Sequence, residues 1–574
     1  MIFFKRTFIL LIFQLVAFSG SYVNAMEINQ EVVYLQTDRT TYISGETVYY
    51  KQYILDPATK IPSDISKVGY ILLRSAGSKP VLKIRVKIDA GMSNGSIVLP
   101  DTLASGAYQL VAFTGVMKNF GEQCFFHKEI TIVNRFDKEL DFKTAKSTST
   151  DSTLTESQGT DQKIKTDKNV YGIREKVIVS LGKMNSKANV VVTVFEEPKI
   201  RSSYKSISET LHAFSDSVPE RQSLKSYIPE NIGKILRGRV IDRTTNKVVN
   251  SATVLLSCMD TIPNLQYAVT DSNGVFRMLL SNYYEGKELF LTIKDMPENQ
   301  HWKIEVEDEF AQQEKWNPVL ISVKNNSNEY LVKSQHIVYI NKSYKLNNDT
   351  TEKSNTDIKV ICPRLYNCPV SSVYPSDFVP LNDFQEIAVE LLPFVRVNKE
   401  KGIYHVHVTG TSSDKLNVDA AVFLDGVFVD DMNKVARLGS EQIKKIEFID
   451  AERTFGDLVF QGVVSITSKL NEIENTIPAF YSIRIKNDKL NKNKNFVPIN
   501  STLIRNRNIP LFKQLLYWNP NIEINGTDYT DIEFYTSDNI ANYIIKVEGI
   551  TDDGTPISLS SGFQINNSNN VKDK

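Results

Sequence analysis

Reactive side chains are scarce in this chain. Its 574 residues include only four cysteines, six histidines and three tryptophans. No Cys-Xaa-Xaa-Cys pair or Cys/His cluster occurs, which excludes a zinc site of the usual spacing. Gly-Xaa-Ser-Xaa-Gly, His-Glu-Xaa-Xaa-His, a phosphate-binding loop and a dinucleotide fingerprint are all missing. The chain is therefore expected not to be an enzyme, and no residue is assigned a catalytic, cofactor-binding or metal-binding role. Net charge is absent as well, with 67 Lys plus Arg against 67 Asp plus Glu. That balance offers no field to draw in nucleic acid or an anionic membrane. Beyond the N-terminus no apolar run reaches the ~20 residues of a membrane-crossing helix, so no transmembrane segment is expected in the mature chain.

What is present begins with an export signal. Lys5 and Arg6 precede a mostly apolar core, Phe8 to Phe18, and Val23-Asn24-Ala25 offers small residues for cleavage after Ala25. Residues 1–25 therefore read as a secretory signal peptide, placing the protein in the periplasm or peripheral to the outer membrane or cell surface. Export permits disulfides. Cys362 and Cys368 could pair locally or could be two buried thiols. The length suggests three to five domains of ~100–200 residues. Tyr (25) and Phe (29) are plentiful and favour strands.

Residues 27–135 contain seven strand-like runs: Val32 to Leu35, Thr47 to Leu55, Val68 to Leu73, Val81 to Ile88, Gly95 to Leu99, Ala107 to Thr114 and Phe125 to Val133. Turn residues such as Asn94-Gly95 and Ser105-Gly106 separate them. That count fits a β-sandwich. The segments YLQTDRTTYISGETVYYKQYI and LPDTLASGAYQLVAFT resemble the MG2 domain of the α2-macroglobulin superfamily. Residues 136–160 are Ser/Thr/Asp/Lys-rich and read as a linker.

An internal repeat follows. Thr37-Asp38-Arg39…Tyr42…Glu46…Val48 recurs with the same spacing as Thr166-Asp167-Lys168…Tyr171…Glu175…Val177. It predicts a second macroglobulin-like sandwich over 161–233. Arg174 stands where the first copy has Gly45, so a different turn is expected. Residues 234–345 carry Leu236 to Asp242, Ala252 to Leu256 and Thr270-Asp271-Ser272-Asn273-Gly274-Val275-Phe276, and resemble the carboxypeptidase regulatory-like domain, itself a small sandwich.

A polar stretch at 346–357 reads as a linker. Leu381, Phe384, Ile387, Ala388, Leu391, Leu392 and Val395 then form one apolar stripe and predict a helix over Leu381 to Val395. Val422 to Lys469 follows, with Asp425-Gly426 as a hairpin turn and Gly462 opening an alternating strand. Residues 358–470 resemble the plug domain of TonB-dependent outer-membrane receptors. Only 105 residues follow Lys469 (574 − 469). A barrel of 22 strands at ~9–11 residues each needs about twice that, so transport by this chain is not expected. Residues 471–499 read as a linker and 500–574 as a C-terminal β-sandwich. The fold expected is mainly β: a string of macroglobulin/Ig-like sandwiches plus a small α+β plug-like domain.

Four constellations could carry chemistry. Gly121-Glu122-Gln123-Cys124 holds the residues of the macroglobulin thioester in the wrong order, and a half-buried strand cysteine is expected. Asp271 to Gly274 lacks the alternating ligands of a calcium loop and is expected to be a hairpin turn. Asp430-Asp431 reads as a solvated turn. His405 and His407 share a strand face, but no third ligand is evident in sequence. The function expected is non-enzymatic: interaction with an envelope protein, an outer-membrane protein being one candidate. The alternatives are an accessory of a TonB-linked transport complex, and a protease trap or envelope enzyme.

Overall fold

The computed structural model describes residues 30–567 except 78–79, 138–163, 185, 202–204, 216–225, 297–300, 312–314, 318–321, 324–326, 347–349, 352–364, 366–368, 370, 410–418, 471–481, 492–493 and 526–527. The signal-peptide reading, most of the two linkers at 136–160 and 346–357, and Cys362 and Cys368 lie outside the described residues.

The protein is mainly β, as its aromatic and β-branched runs predict. The first sandwich faces a sheet of Val32–Thr37, Thr47–Leu55 and Met92–Val98 against a five-stranded sheet. The second sheet runs in the order Thr41–Ile43, Phe126–Val133, Gly106–Thr114, Val68–Ser75, Pro80–Lys87. The seven expected strands are all present, and Thr41–Ile43 is an eighth. Within the five-stranded sheet, Phe113 stacks on its cross-strand neighbour Tyr70 at 5.3 Å and on Phe125 at 4.4 Å.

The rest of the chain is nested rather than strung. Two separate sandwiches were expected at 161–233 and 500–574, but they are halves of one. Ala188–Glu196 pairs on one side with Leu515–Ile524 and on the other with Asn542–Thr551. Lys176–Leu181 pairs with Thr530–Tyr535 in the facing sheet. Neither half has enough strands to cover both sides of a core, so each closes on the other.

The third sandwich lies inside that loop of chain. Its sheets are Val275–Leu280, Lys234–Asp242, Trp302–Val306 and Gln266–Val269, Thr253–Cys258, Glu288–Ile293, Ser482–Lys486. The last strand comes from the stretch expected to be a linker. Its Ile483 and Ile485 cover the core there, so 471–499 is not linker throughout.

Innermost in sequence is an α+β unit. Its sheet runs Ser371–Val373, Ile443–Phe455, Leu458–Ser468, Ala421–Leu424, Val427–Phe428, with Ala421–Leu424 parallel to the third of these. A hairpin of Val395–Glu400 and Ile403–Val408 stands beside it.

The helices differ from expectation, Ile207–Ser215 among them. The stripe from Leu381 to Val395 is mostly buried, but the helix spans only Phe384–Leu391. Asp383 caps its start by accepting from the Glu386 N–H at 2.8 Å. Pro393 ends it: the preceding Leu392 leaves helical geometry, as residues before proline do. A helix over Ser327–Ser343 was not expected. Its inner face mixes Leu331, Ile337 and Val338 with Ser334 and Asn341, while Val332 and Tyr339 face out. That mixture hides the 3.6-residue period.

The first and second sandwiches share a joint. Trp518, Val191 and Ile550 join the first sandwich's apolar core. The Tyr34 hydroxyl donates to Glu548 at 2.9 Å, and Lys51 Nζ donates to the Pro520 carbonyl at 2.7 Å. This explains why Thr47–Leu55 is buried on both faces instead of alternating.

Candidate interaction site

The α+β unit is fixed to the third sandwich by two of its turns. Asp425 (φ +50°) and Gly426 (φ +81°) form the tight turn that the Asp-Gly pair predicts. The Asp425 carboxylate closes the turn's far side, accepting from the Ser468 N–H and hydroxyl, both at 2.7 Å. The Asp425 carbonyl accepts from the Asp260 N–H at 3.0 Å. A Cβ at Gly426 would lie 2.5 Å from the Asp260 carbonyl, so only glycine lets the two backbones approach. Asp260 is anchored in turn by Tyr283 at 2.6 Å and Lys287 at 2.7 Å. Burial alone would raise its carboxyl pKa, but these hydrogen bonds outweigh it and hold it below the usual range.

The second fastening is the tip of the long hairpin Ile443–Phe455/Leu458–Ser468. Phe455 packs edge-on against Tyr267 at 5.9 Å, and the Asp457 N–H donates to the Tyr267 hydroxyl at 2.9 Å. Leu255 and Leu265 of the third sandwich complete an apolar cluster with Phe423, Phe428 and Phe460.

This arrangement decides which surfaces remain free. The edge strand Val427–Phe428 faces the third sandwich, and the Phe428 N–H donates to the Ser257 hydroxyl at 3.2 Å. The opposite edge, Ser371–Val373, is three residues long. Among the described residues, five of the unit's eight exposed large apolar side chains lie elsewhere, the others being Ile403, Val459 and Leu470. Tyr374, Phe378, Val379, Val389 and Phe394 are all solvent-accessible, Val379 by 75% and Val389 by 66%. They fall on the helix Phe384–Leu391 and the segments entering and leaving it. Phe394 lies 6.2 Å from Phe448, whose strand partner Ser371 leads directly to Tyr374. A helix normally turns its polar side outward, so Val389 is the anomaly of this face.

The constellations singled out in sequence fall apart from this face and, with one exception, from one another. Cys124 is a buried free thiol whose pKa is raised by burial, packed with Val116 and Phe120. Gln123 donates to the Phe120 carbonyl at 2.6 Å rather than meeting the sulfur. Asp271 accepts from the Asn273 N–H (2.9 Å) and the Val275 N–H (3.0 Å), and Gly274 sits at φ +68°. That is a hairpin turn. Asp431 accepts from the Asn433 N–H at 2.9 Å and opens a short helix, Met432–Val435. His405 and His407 do share a face, with rings 6.3 Å apart. Asp419 joins them, 2.8 Å from His405 Nδ1 and 3.7 Å from His407 Nδ1. Fourteen residues of sequence hid that contact. Among the described residues no group of three or more His, Cys, Asp or Glu is arranged to hold a metal ion. No described helix is long and apolar enough to cross a membrane.

No family model matches the chain, and no curated protein does. Among solved structures it is similar to Escherichia coli α2-macroglobulin in its native conformation, at 9% identity over 94% of this chain and 40% of that one, with a TM-score of 0.25. A Salmonella α2-macroglobulin mutant gives 8% identity, 93% and 39% coverage, and a TM-score of 0.24. The Yersinia pseudotuberculosis adhesin InvE gives 12% identity, 48% and 58% coverage, and 0.13. The chain spans less than half the length of these macroglobulins. Likeness at this level assigns neither family nor activity, and the sandwich fold stands on the sheets themselves.

Proposed function

We propose that the protein is a non-enzymatic envelope protein whose nested sandwiches hold an α+β, plug-like unit for binding a protein partner. The exposed apolar side chains clustered in residues 374–394 carry this reading. Large apolar side chains grouped on one face of a folded unit mark interaction surfaces more often than single ones do. The partner is an envelope protein, with an outer-membrane protein the leading candidate. The edge strands do not support β-augmentation as the mode of binding, because one is covered and the other is short.

Truncation cannot test this, since any cut before residue 482 removes strands from two sandwiches. Point changes can. Envelopes carrying Val379→Asp plus Val389→Asp should lose, after cross-linking and affinity capture, the proteins retained by the unaltered chain. Capture of the same proteins in the same amounts would sink the proposal.

A further inference from the structure

A cavity of about 180 Å³ lies where the first and third sandwiches meet. Its wall contains an unusual pairing. Arg237 and Arg277 stand directly opposite each other on antiparallel strands, and both line the cavity. Like charges in that position repel, so a fold that keeps them needs negative charge nearby. Each has one carboxylate partner: Arg237 with Glu307 at 2.8 Å, and Arg277 with Asp271 at 3.2 Å. The Nε of each guanidinium is buried and has no hydrogen-bond partner. Two such closed-off donors on neighbouring strands are costly in the folded chain.

The surroundings set Lys118, Lys234 and Lys486 against Glu230, Glu307, Asp308 and Glu309, beside an aromatic wall. Lys118 Nζ lies 4.4 Å from the Tyr227 ring centre and Arg237 lies 5.1 Å from it. The remaining carboxylates of the lining are paired, Glu309 with a lysine that itself lines the cavity. Asp308 pairs with Lys83 at 2.6 Å, and Glu309 pairs with Lys234 at 2.7 Å. Glu230 is buried and receives the Tyr70 hydroxyl at 3.0 Å and the Ile235 N–H at 3.0 Å. Burial raises its pKa, which reduces its opposition to a negative guest, and burial likewise lowers that of Lys118, which weakens its pull.

We infer that this cavity binds a small oxyanion, a carboxylate or a phosphate ester, held by Arg237, Arg277 and Lys118 beside the Tyr227 ring. Guanidinium groups are suited to both guests because their fork matches two oxygens. A guest there would also touch both sandwiches and stiffen their junction.

Titration calorimetry of the full chain tests the inference, with inorganic phosphate and benzoate as probes at constant ionic strength. At least one probe should bind saturably, and its dissociation constant should rise at least tenfold in Arg277→Gln. Arg239→Gln, two residues along the same strand and outside the cavity, should leave it unchanged. Phosphate binding alone identifies a phosphate guest, and benzoate binding alone a carboxylate guest. If Arg277→Gln does not fold, Lys118→Gln carries the same comparison. No saturable binding of either probe, or equal affinity in the cavity variant and the unaltered chain, overturns the inference.

Discussion

The two copies of the Thr-Asp-basic…Tyr…Glu repeat make the same staple in different surroundings. In the first, Asp38 accepts from the Tyr49 N–H at 2.8 Å and the Tyr42 hydroxyl at 2.9 Å. In the second, Asp167 accepts from the Ile178 N–H at 2.9 Å and the Tyr171 hydroxyl at 2.6 Å. Each Tyr oxygen also receives the N–H of the basic residue, Arg39 at 3.2 Å or Lys168 at 3.0 Å. Glu46 and Glu175 close their turns alike, accepting from Ile43 N–H and Gly172 N–H. The pairing Arg39–Glu46 recurs as Lys168–Glu175. What differs is water. Asp38 is fully buried under the second sandwich, and burial pushes its pKa up to about 6 despite Arg39 and the two hydrogen bonds. Asp167 is exposed; what burial it has works against it, but the Tyr171 and Ile178 bonds prevail and hold it below the usual value. One set of bonds therefore gives opposite shifts, and desolvation decides the sign.

The largest test of that contrast removes the carboxylate. Asp38→Ala strands the buried Tyr49 backbone N–H and removes a carboxylate partner of the buried Arg39, and is expected to cost about 3 kcal/mol in urea unfolding. Asp167→Ala leaves its partners in reach of water and should cost about 1 kcal/mol. Equal losses would break the comparison.

Acid and base sharpen it next. Burial pushes Lys51 and Lys128, at the same joint, down to about 7. Lys51 meets Asn189, Asn521 and the Pro520 carbonyl. Lys128 meets the fields of Lys546, Glu548 and Asp38. An unfolded lysine keeps its proton to about 10.5, so between pH 7 and 10.5 the unfolded state holds more protons and stability rises with pH. Asp38 acts oppositely: between 3.8 and about 6 the folded state holds the extra proton, and stability falls as pH rises. Lys51→Met should therefore remove roughly 2 kcal/mol of the gain between pH 7 and 9. An unchanged slope would show that Lys51 does not titrate in the joint.

Smaller effects concern the turn. Gly45 sits at φ +83° against the Asp101 carboxylate, so Gly45→Ala should cost about 1–2 kcal/mol, read from the thermal midpoint. At the foot of the scale, Lys168→Met removes an exposed ion pair and should leave that midpoint unchanged. A measurable fall would mean that the second staple depends on its charge pair.

The turn also shows where sequence reading reached and where it stopped. The repeat and its spacing were legible, but a different turn was expected from Arg174. Arg174 instead adopts the same left-handed backbone, at φ +56°. Its guanidinium compensates by binding Asp538 and the carbonyls of Asn506 (2.8 Å) and Ile509 (2.7 Å). Those partners lie more than 300 residues away, and no local pattern announces them. The same blindness produced the two half-sandwiches: Ala188–Glu196 reads as a strand, but nothing in it names Leu515–Ile524 as its neighbour. Asp425-Gly426 was recognised as a turn, while its contact with Asp260 was not, because close packing of two backbones leaves only a glycine as its trace. The exposed face at 374–394 hid for another reason: Val389 beside a genuine apolar stripe looks like more core.

The nesting has a consequence for how the chain comes off the ribosome. Ala188–Glu196 emerges long before its partner at residue 515, an interval of 319 residues (515 − 196). At about 5–20 residues per second that is roughly a quarter of a minute to a minute. The α+β unit is complete by Ser468, the third sandwich by Lys486 and the second by Ile565. Synthesis therefore closes these three bodies from the inside outward, and the Val-rich run of Ala188–Glu196 has neither of its sheet neighbours until the last strands arrive.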